Sequence, residues 1–183
     1  MANVIVGATL SLDGFMNDRN GDISRLYPDF DALHGTEMLQ EEIRMTGAVV
    51  MGRRSYEMAE GDLTGYEYQV PIFVLTHYPP VQRPKGENDQ LTVTFVTDGI
   101  ERVIERAKAA AGDKQVTVVG GANTAQQCLR AGLVDEIHLG IVPVLLGAGL
   151  RFFDPLVDEQ MKLERTRVFE SATRTDLWFR VLK

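Results

Sequence analysis

Two segments of the sequence combine glycine with residues that suit the binding of an anion. In the first, Gly52-Arg53-Arg54-Ser55, a glycine ends an apolar run and two arginines open a short helical pattern. Cations are unfavourable at the positive end of a helix dipole, whereas an anionic ligand removes that conflict and a guanidinium can hold two phosphate oxygens. The segment therefore predicts a phosphate-binding turn, with solvent-facing or acid-paired arginines as the alternative.

The second segment, Gly120-Gly121-Ala122-Asn123-Thr124, joins an apolar run to a helical pattern. Two glycines let the backbone approach a ligand closely, and the free N–H groups at a helix start favour an anion. A tight turn that needs glycine only for its own conformation explains the same residues equally well.

Two further segments follow apolar runs in the same way. Thr76-His77 offers a hydroxyl and an imidazole, which suit either another phosphate contact or an ordinary loop. Ser11-Leu12-Asp13-Gly14-Phe15 contains Asp-Gly, a common turn signal. In open α/β sheets, ligands collect beyond the carboxyl ends of the strands, and each of these segments falls at such a position.

Composition and missing motifs exclude several other functions. Asp and Glu number 26 against 19 Lys and Arg, so the net charge of −7 disfavours a nucleic-acid partner. The sequence has no Walker-type phosphate loop, no G-x-G-x-x-G after a predicted strand and no G-x-S-x-G elbow. The three histidines lack ligand-spaced partners and no C-x-x-C occurs, so we expect no metal site.

The single cysteine, Cys128, rules out an intramolecular disulfide framework and fits a reducing compartment. No uncharged apolar run reaches the ~18 residues that a membrane span needs, and the first residues lack a basic leader. We therefore expect a cytoplasmic protein with no membrane partner, in which Cys128 is a small core residue.

Short apolar runs rich in β-branched residues predict strands covered on both faces, at 4–9, 48–51, 72–76, 92–97, 116–119 and 136–142. Helical patterns lie between them. The clearest one is capped by Asp98, with Glu101 three residues later, and ends at Gly112. A second runs over about 122–131, and a less regular one over 29–45 is interrupted by Gly35.

The end of the chain has a different pattern. Residues 162–169 and 173–182 are extended stretches on either side of a polar turn, which predicts an antiparallel hairpin added to a mostly parallel sheet. Segment 79–90, with three prolines, predicts a surface loop. Because no linker or repeat divides the chain, we expect residues 1–183 to form one α/β domain with a mixed sheet.

Taken in order, these segments resemble the dihydrofolate reductase-like superfamily. The closer match is to the group related to the reductase domain of the riboflavin-biosynthesis deaminase–reductase. Besides the motifs above, the resemblance is carried by Val50-Met51 and Tyr56 around the arginine turn, by Leu133-Val134-Asp135-Glu136-Ile137, and by Val142-Pro143-Val144-Leu145-Leu146-Gly147-Ala148-Gly149. It implies a three-layer α/β/α sandwich and NADPH as the cofactor.

The resemblance also implies roles for the quoted residues. The cofactor-binding set would comprise a phosphate-binding turn, a region near the adenosine 2′-phosphate and a pyrophosphate turn: Gly52, Arg53, Arg54 and Ser55; Thr76 and His77; Gly120, Gly121, Ala122, Asn123 and Thr124. The loop around Asp13 would close over the nicotinamide, so Asp13 either orients the substrate or a proton-relaying water or only makes the turn. Gly14, Phe15 and Tyr56 are substrate-site candidates, with core packing as the alternative for the two aromatic residues.

One departure concerns the substrate. The riboflavin reductase carries a Ser-Lys-Trp-type motif for a ribosyl or ribityl phosphate, where this chain has Asp22-Ile23-Ser24-Arg25-Leu26-Tyr27. The leading hypothesis is an NADPH-dependent reductase of a flat pterin- or pyrimidine-like heterocycle or a related imine or carbonyl, resembling 5-amino-6-(5-phosphoribosylamino)uracil reductase. The alternatives are a non-catalytic NADPH- or nucleotide-binding protein on the same fold and a true dihydrofolate reductase.

We also expect a homodimer. Residues 141–150 form a ten-residue stretch without charge, and Pro143 within it cannot donate to a strand ladder. This argues for a sheet edge or a strand end, and an apolar edge left in water invites association. Burial of the stretch by the terminal hairpin or by the helix near Ala122 is the alternative.

Overall fold

The computed structural model describes residues 2–28, 30–153 and 161–182. Its strands are β1 Val4–Ser11, β2 Phe15–Asp18, β3 Thr46–Gly52, β4 Ile72–Leu75, β5 Val93–Val96, β6 Gln115–Val119, β7 Glu136–Val142, β8 Gly149–Arg151, β9 Lys162–Glu170 and β10 Thr175–Leu182. Its helices are α1 Phe30–His34, α2 Glu37–Met45, α3 Arg53–Met58, α4 Ile100–Ala111 and α5 Ala122–Arg130, with a 3-10 turn at Ser24–Leu26.

Within the described residues, eight strands form one mixed sheet in the order β5-β4-β3-β6-β1-β7-β10-β9. The first six are parallel, and β10 and β9 add antiparallel pairs at the end. All six predicted buried strands lie in this sheet, and the predicted terminal hairpin is confirmed as β9 and β10. A small antiparallel pair of β2 with β8, which sequence analysis did not predict, connects residues near Phe15 to those near Arg151.

Helices cover the sheet on both faces, which confirms the three-layer α/β/α class. Alternate residues of β3 show the division: Ala48 and Val50 pack into the cluster that holds α4 and α5, whereas Val49 and Met51 pack into the cluster that holds α3. Because β3 is buried on both sides, its sequence is apolar nearly throughout. Cys128 on α5 is fully buried, and this burial raises the pKa of its thiol to about 12.

Helix α4 has the predicted buried face, formed by Ile100, Val103, Ile104, Ala107 and Ala111. Its predicted cap was wrong. The N-cap residue is Gly99, at φ +98°, and no side chain caps the helix. The Asp98 carboxylate instead forms an ion pair with Arg106 of the same helix at 3.0 Å, and it does not accept from the first N–H groups of the helix.

The irregular helix predicted near 29–45 is two helices. Gly35 and Thr36 separate α1 from α2, and the Thr36 hydroxyl accepts a hydrogen bond from the Leu39 N–H at 3.3 Å, which gives α2 its own cap. Asp29, the predicted first residue, lies outside the described residues.

The expectation that residues 141–150 form a sheet edge was wrong. Strand β7 lies between β1 and β10, so Ile141 and Val142 pair inside the sheet. Pro143 follows the last residue of β7, which agrees with the strand-end reading of its position. The edge strands are β5 and β9, and the predicted loop at 79–90 contains no helix or extended strand.

Candidate active site

The two glycine turns predicted to bind an anion are in direct contact at the carboxyl ends of β3 and β6. A Cβ atom placed on Gly52 would lie 2.6 Å from the Thr124 hydroxyl oxygen, and one on Gly120 would lie 2.6 Å from the Ser55 hydroxyl oxygen. Gly120 and Gly121 also have φ values of +69° and +79°, which side-chain-bearing residues rarely adopt. Glycine is therefore needed here both for the turn and for the approach of its neighbour.

Positive charge stands beside this double turn. Helix α5 begins directly after Gly121 with no side chain capping its first N–H groups. Arg53 forms an exposed ion pair with Glu57 at 2.6 Å. Arg54 is exposed and has no hydrogen-bond or ion-pair partner among the described residues. Arg54 is thus the cation available to an incoming anion.

The other members of the predicted cofactor set are placed less uniformly. Thr76 is buried, and its hydroxyl donates to the Tyr78 carbonyl and accepts from the Tyr78 N–H, so it serves its own turn. His77 is exposed. In α5, Ala122 and Thr124 are buried, while the exposed Asn123 accepts a hydrogen bond from Gln127. From this group, His77 and Asn123 have exposed side chains.

Asp13 connects two loops. One carboxylate oxygen accepts hydrogen bonds from the Ser11 hydroxyl at 2.6 Å and the Leu146 N–H at 3.1 Å, and the other accepts from the Gly147 N–H at 2.7 Å. The Ser11 hydrogen bond is the main cause that lowers the pKa of Asp13 to about 2. The carboxylate is therefore ionised and occupied, and a direct role toward a substrate stays a prediction.

The three predicted substrate-site residues have different surroundings. Gly14, at φ +85°, completes the turn at Asp13. Phe15 is buried beneath the Arg151 guanidinium, whose central carbon lies 4.4 Å from the ring centroid. Tyr56 is buried and packs edge-on against Phe95 at 5.3 Å. The core-packing alternative describes the surroundings of both aromatic rings.

A cavity of about 310 Å³ opens where α1, α2 and the 3-10 turn face the β9–β10 turn, and we call it the hairpin cavity. It lies next to the last residue of β7, Val142, and so at the same edge of the sheet as the glycine turns. Its walls are largely apolar or aromatic, and they comprise Leu26, Tyr27, Pro28, Phe30, Ala32, Leu33, Thr36, Glu37, Met38, Val142, Phe169, Glu170, Ser171, Ala172, Thr173, Arg174 and Asp176.

A buried ion pair forms the polar wall of the hairpin cavity. The Arg174 guanidinium donates through two nitrogens to the Asp176 carboxylate and through the third to the Thr9 hydroxyl at 3.2 Å. It fills the space that a side chain at Gly140 would occupy. Only 11% and 9% of the two side chains are exposed, and burial raises the pKa of Asp176 despite its partner.

A second polar cluster lies beside this pair on the same face of the sheet. His138 stacks on Trp178 with a ring separation of 4.0 Å, and it contacts Glu136 at 3.2 Å and Glu42 at 3.8 Å. Burial alone would lower the pKa of His138, but the two carboxylates outweigh it and raise that pKa. The buried His138 Nδ1 has no hydrogen-bond partner among the described atoms.

Sequence analysis missed both clusters, although a signal was present. Asp176 and Trp178 in β10, with Arg174 just before it, alternate with the apolar Leu177 and Phe179. Helices flank the sheet on both sides, so the charged residues at the start of this strand indicate a buried polar site, although Arg180 further along the same phase is exposed. The described residues contain no group of side chains arranged to hold a metal ion and no helix long and apolar enough to cross a membrane.

Several known proteins resemble this chain in sequence or in fold. Two relatives come from Bacillus subtilis strain 168. The protein YwjB is 26% identical, over 90% of this chain and 91% of its own length. The protein YyaP is 27% identical, over 92% of this chain and 90% of its own length. A Shewanella sp. PV-4 protein named for riboflavin biosynthesis matches the whole length of both chains with a TM-score of 0.80 and 22% identity.

More distant structures share the fold. The Thermotoga maritima deaminase and 5-amino-6-(5-phosphoribosylamino)uracil reductase matches with a TM-score of 0.63 and 17% identity, over 99% of this chain and 57% of its own. Dihydrofolate reductase from Enterococcus faecalis, complexed with NADP(H), matches with a TM-score of 0.58 and 15% identity, over 99% and 97%. The family model of the RibD C-terminal domain matches residues 2–175, and the chain therefore belongs to that family.

Proposed function

We propose that this protein is an NADPH-dependent reductase of a small, flat heterocycle or a related imine or carbonyl compound. The observation that carries the proposal is the contact between the Gly52 and Gly120 turns, with the unpartnered Arg54 beside them, at the carboxyl ends of neighbouring strands. Backbone N–H groups and a guanidinium gathered in this way suit a dinucleotide pyrophosphate. The similarity to NADP(H)-binding dihydrofolate reductase supports the same cofactor.

The residues divide into two tasks. Those of the double turn would hold the cofactor, with Ser55 and Thr124 securing the two turns against each other, and with Arg54 and His77 available to its phosphates. The bound cofactor would supply a hydride for transfer to an electrophilic carbon. The hairpin cavity would hold the substrate, exclude water through its apolar walls and fix its orientation through Asp176 and Arg174.

The cofactor assignment is tested by titrating the protein with NADPH and NADH and following nicotinamide fluorescence. We expect NADPH to bind at least about tenfold more tightly, because a charged contact to the additional phosphate contributes about 1.5–3 kcal/mol. Arg54→Ala should weaken NADPH binding by a similar factor and leave the melting temperature unchanged. Arg53→Ala should have a smaller effect, since Arg53 already pairs with Glu57.

Arg102→Ala on α4 is the matched control, because Arg102 forms a similarly exposed pair with Glu105. Equal affinities for the two cofactors, or normal NADPH binding by both turn variants, would reject the placement. Binding of NADPH without turnover of any pterin, pyrimidine or carbonyl compound would favour a nucleotide-binding protein that has no reductase activity.

A homodimer remains part of the proposal, on the exposed part of the predicted 141–150 stretch and the neighbouring loop at Leu12. Leu12 and Leu145 lie on loops joined by a hydrogen bond from the Leu12 N–H to the Val144 carbonyl, and their exposed fractions are 66% and 67%. Light scattering at micromolar concentration should give twice the mass of 20.4 kDa, and Leu145→Asp should halve it. A monomer of wild-type protein at every concentration would contradict this part.

A further inference from the structure

We propose that the hairpin cavity takes an unphosphorylated flat heterocycle with two adjacent N–H donors, and that it discriminates against the phosphoribosylated counterpart. This inference rests on the proposed function, because it specifies the substrate class of the same site. It departs from the substrate named for the Thermotoga maritima relative, which carries a phosphoribosyl group. Two features carry it: the charge of the residues that line the cavity, and the hydrogen bonds of segment 18–24, which precedes the lining residue Leu26.

The described lining of the cavity offers no free cation to a phosphate. Arg174 is the one lysine or arginine among the described lining residues. Its charge is paired with Asp176, and three of its five N–H groups already donate, to Asp176 and to Thr9. The other charged lining residues, Glu37 and Glu170, are acids. Glu37 itself pairs with Arg44 at 2.8 Å, so a dianionic phosphate would meet the Glu170 carboxylate and no described lining cation that is not already paired.

Carboxylates of the chain already occupy the polar donors of the segment that leads into the cavity wall. Asp22 accepts hydrogen bonds from the Ser24 N–H at 3.0 Å and from the Ser24 hydroxyl at 2.7 Å. Asp18 likewise accepts from the N–H groups of Asn20 and Asp22. An N–H and a hydroxyl on one short turn are the kind of donors that could bind a phosphate. Here the protein satisfies them with its own negative charge.

The cavity instead suits a flat ring with donors on one edge. Tyr27, Phe30 and Phe169 give it aromatic walls. Each Asp176 oxygen accepts one hydrogen bond from Arg174 and retains one further acceptor site. A ring N–H beside an exocyclic amino group can donate to both oxygens at once, and Arg174 holds the carboxylate in place for that contact. Asp176 is thus the residue that specifies the substrate edge.

Guanosine, inosine, guanosine 5′-monophosphate and ribose 5-phosphate form a suitable set of probes, with binding measured by calorimetry with and without NADPH. Guanosine has the two adjacent donors, inosine lacks the amino group, and the monophosphate adds only charge. We expect guanosine to bind at least about tenfold more tightly than either inosine or the monophosphate, which is the effect of one charge-assisted hydrogen bond. Ribose 5-phosphate should not bind.

Two variants sharpen the test. Arg174→Met with Asp176→Leu removes the pair without leaving a lone buried charge, and it should reduce guanosine affinity more than about tenfold while NADPH affinity is unchanged. Asp22→Asn should improve binding of the monophosphate but not of guanosine. Asp113→Asn is its control, since this exposed acid precedes β6 at the opposite edge of the sheet.

Tighter binding of the monophosphate than of guanosine, binding of ribose 5-phosphate, normal guanosine binding by the double variant, or no binding of guanosine at all would each overturn the inference. None of these results bears on the proposed cofactor, because NADPH is titrated independently. Failure of NADPH to bind would reject the proposed function even where guanosine behaved as expected.

Discussion

The two halves of the sheet build their carboxyl edges by different means. In the half formed by β3, β4 and β6, the edge consists of glycine turns whose backbone is closely approached by the small hydroxyl side chains of Ser55 and Thr124. In the half formed by β1, β7 and β10, the edge is made of side chains, because Gly140 leaves a space that the Arg174 guanidinium fills from the neighbouring strand.

This difference separates two kinds of recognition. Backbone turns bind groups that many ligands share, such as phosphates, and they change little as long as glycine is retained. A buried pair of charged side chains costs desolvation free energy and is maintained only by close-fitting partners. The second half is therefore where this chain can differ from its relatives in what it binds.

The comparison is tested most strongly by breaking the Arg174–Asp176 pair. Asp176→Leu should lower the free energy of unfolding by ~3–5 kcal/mol, because it leaves the guanidinium buried without a counter-charge. Adding Arg174→Met should restore most of that loss. Thr117→Val in the other half is the matched case. It removes the 2.7 Å contact to Thr46 but leaves the Thr46 hydroxyl bonded to the Glu42 carbonyl, so it should cost only about 1 kcal/mol.

Urea unfolding of the four proteins measures these values. Equal costs for Asp176→Leu and Thr117→Val, or no recovery in the double variant, would show that the pair is not desolvated as the structure describes.

A smaller effect is expected from the glycine turn. Gly120→Ala should lower the free energy of unfolding by about 1–2 kcal/mol because of the positive φ, and by a further amount because the added Cβ would collide with Ser55. Gly132→Ala has nearly the same φ, +66°, but nothing lies within 4 Å of the added Cβ, so it should show only the first cost. Thermal unfolding gives the difference between the two variants, and NADPH titration should show weakened binding for Gly120→Ala alone. Identical behaviour of the two would mean that the turns do not need their close contact.

The smallest effect concerns the pH dependence of stability around His138. The pKa of His138 is raised above 6.5. Its contribution to the free energy of unfolding is therefore complete below that pH and is lost as the pH rises through the folded-state pKa. The pKa of Glu136 is lowered below 4.5, so its share is present above that pH and is lost as the pH falls through its folded-state value. The stability difference between wild type and His138→Asn should therefore be largest between pH 4.5 and 6.5 and decrease above.

Urea unfolding at a series of pH values measures this difference, with the exposed His77→Asn as the control. A difference for His138→Asn that grows from pH 6.5 to pH 9 would contradict the charge assignment.

The same contrast explains what could be predicted from the sequence. Strands such as β3 and the glycine turn at Gly120 are specified by residues adjacent in the chain, and both were predicted. The hairpin cavity joins Met38, Val142 and Asp176, which lie far apart in sequence, so no local pattern signals it. The Asp98 cap failed for a different reason, because the helix begins one residue later, with Gly99 as the N-cap, and the Asp98 carboxylate pairs with Arg106 two turns along the helix. The position of β7 inside the sheet depended on strand order, which hydropathy does not specify.

The buried thiol of Cys128 makes the backbone-built half observable in solution. It lies on α5, the helix that follows the Gly120 turn, and a thiol with no exposed surface and a pKa of about 12 cannot react with an alkylating reagent while the helix is packed. The rate at which this thiol is alkylated therefore measures how often α5 separates from the sheet. A ligand bound at the turn should lower that rate in proportion to its occupancy, so alkylation of one native residue reports binding without a substrate or an assay of turnover.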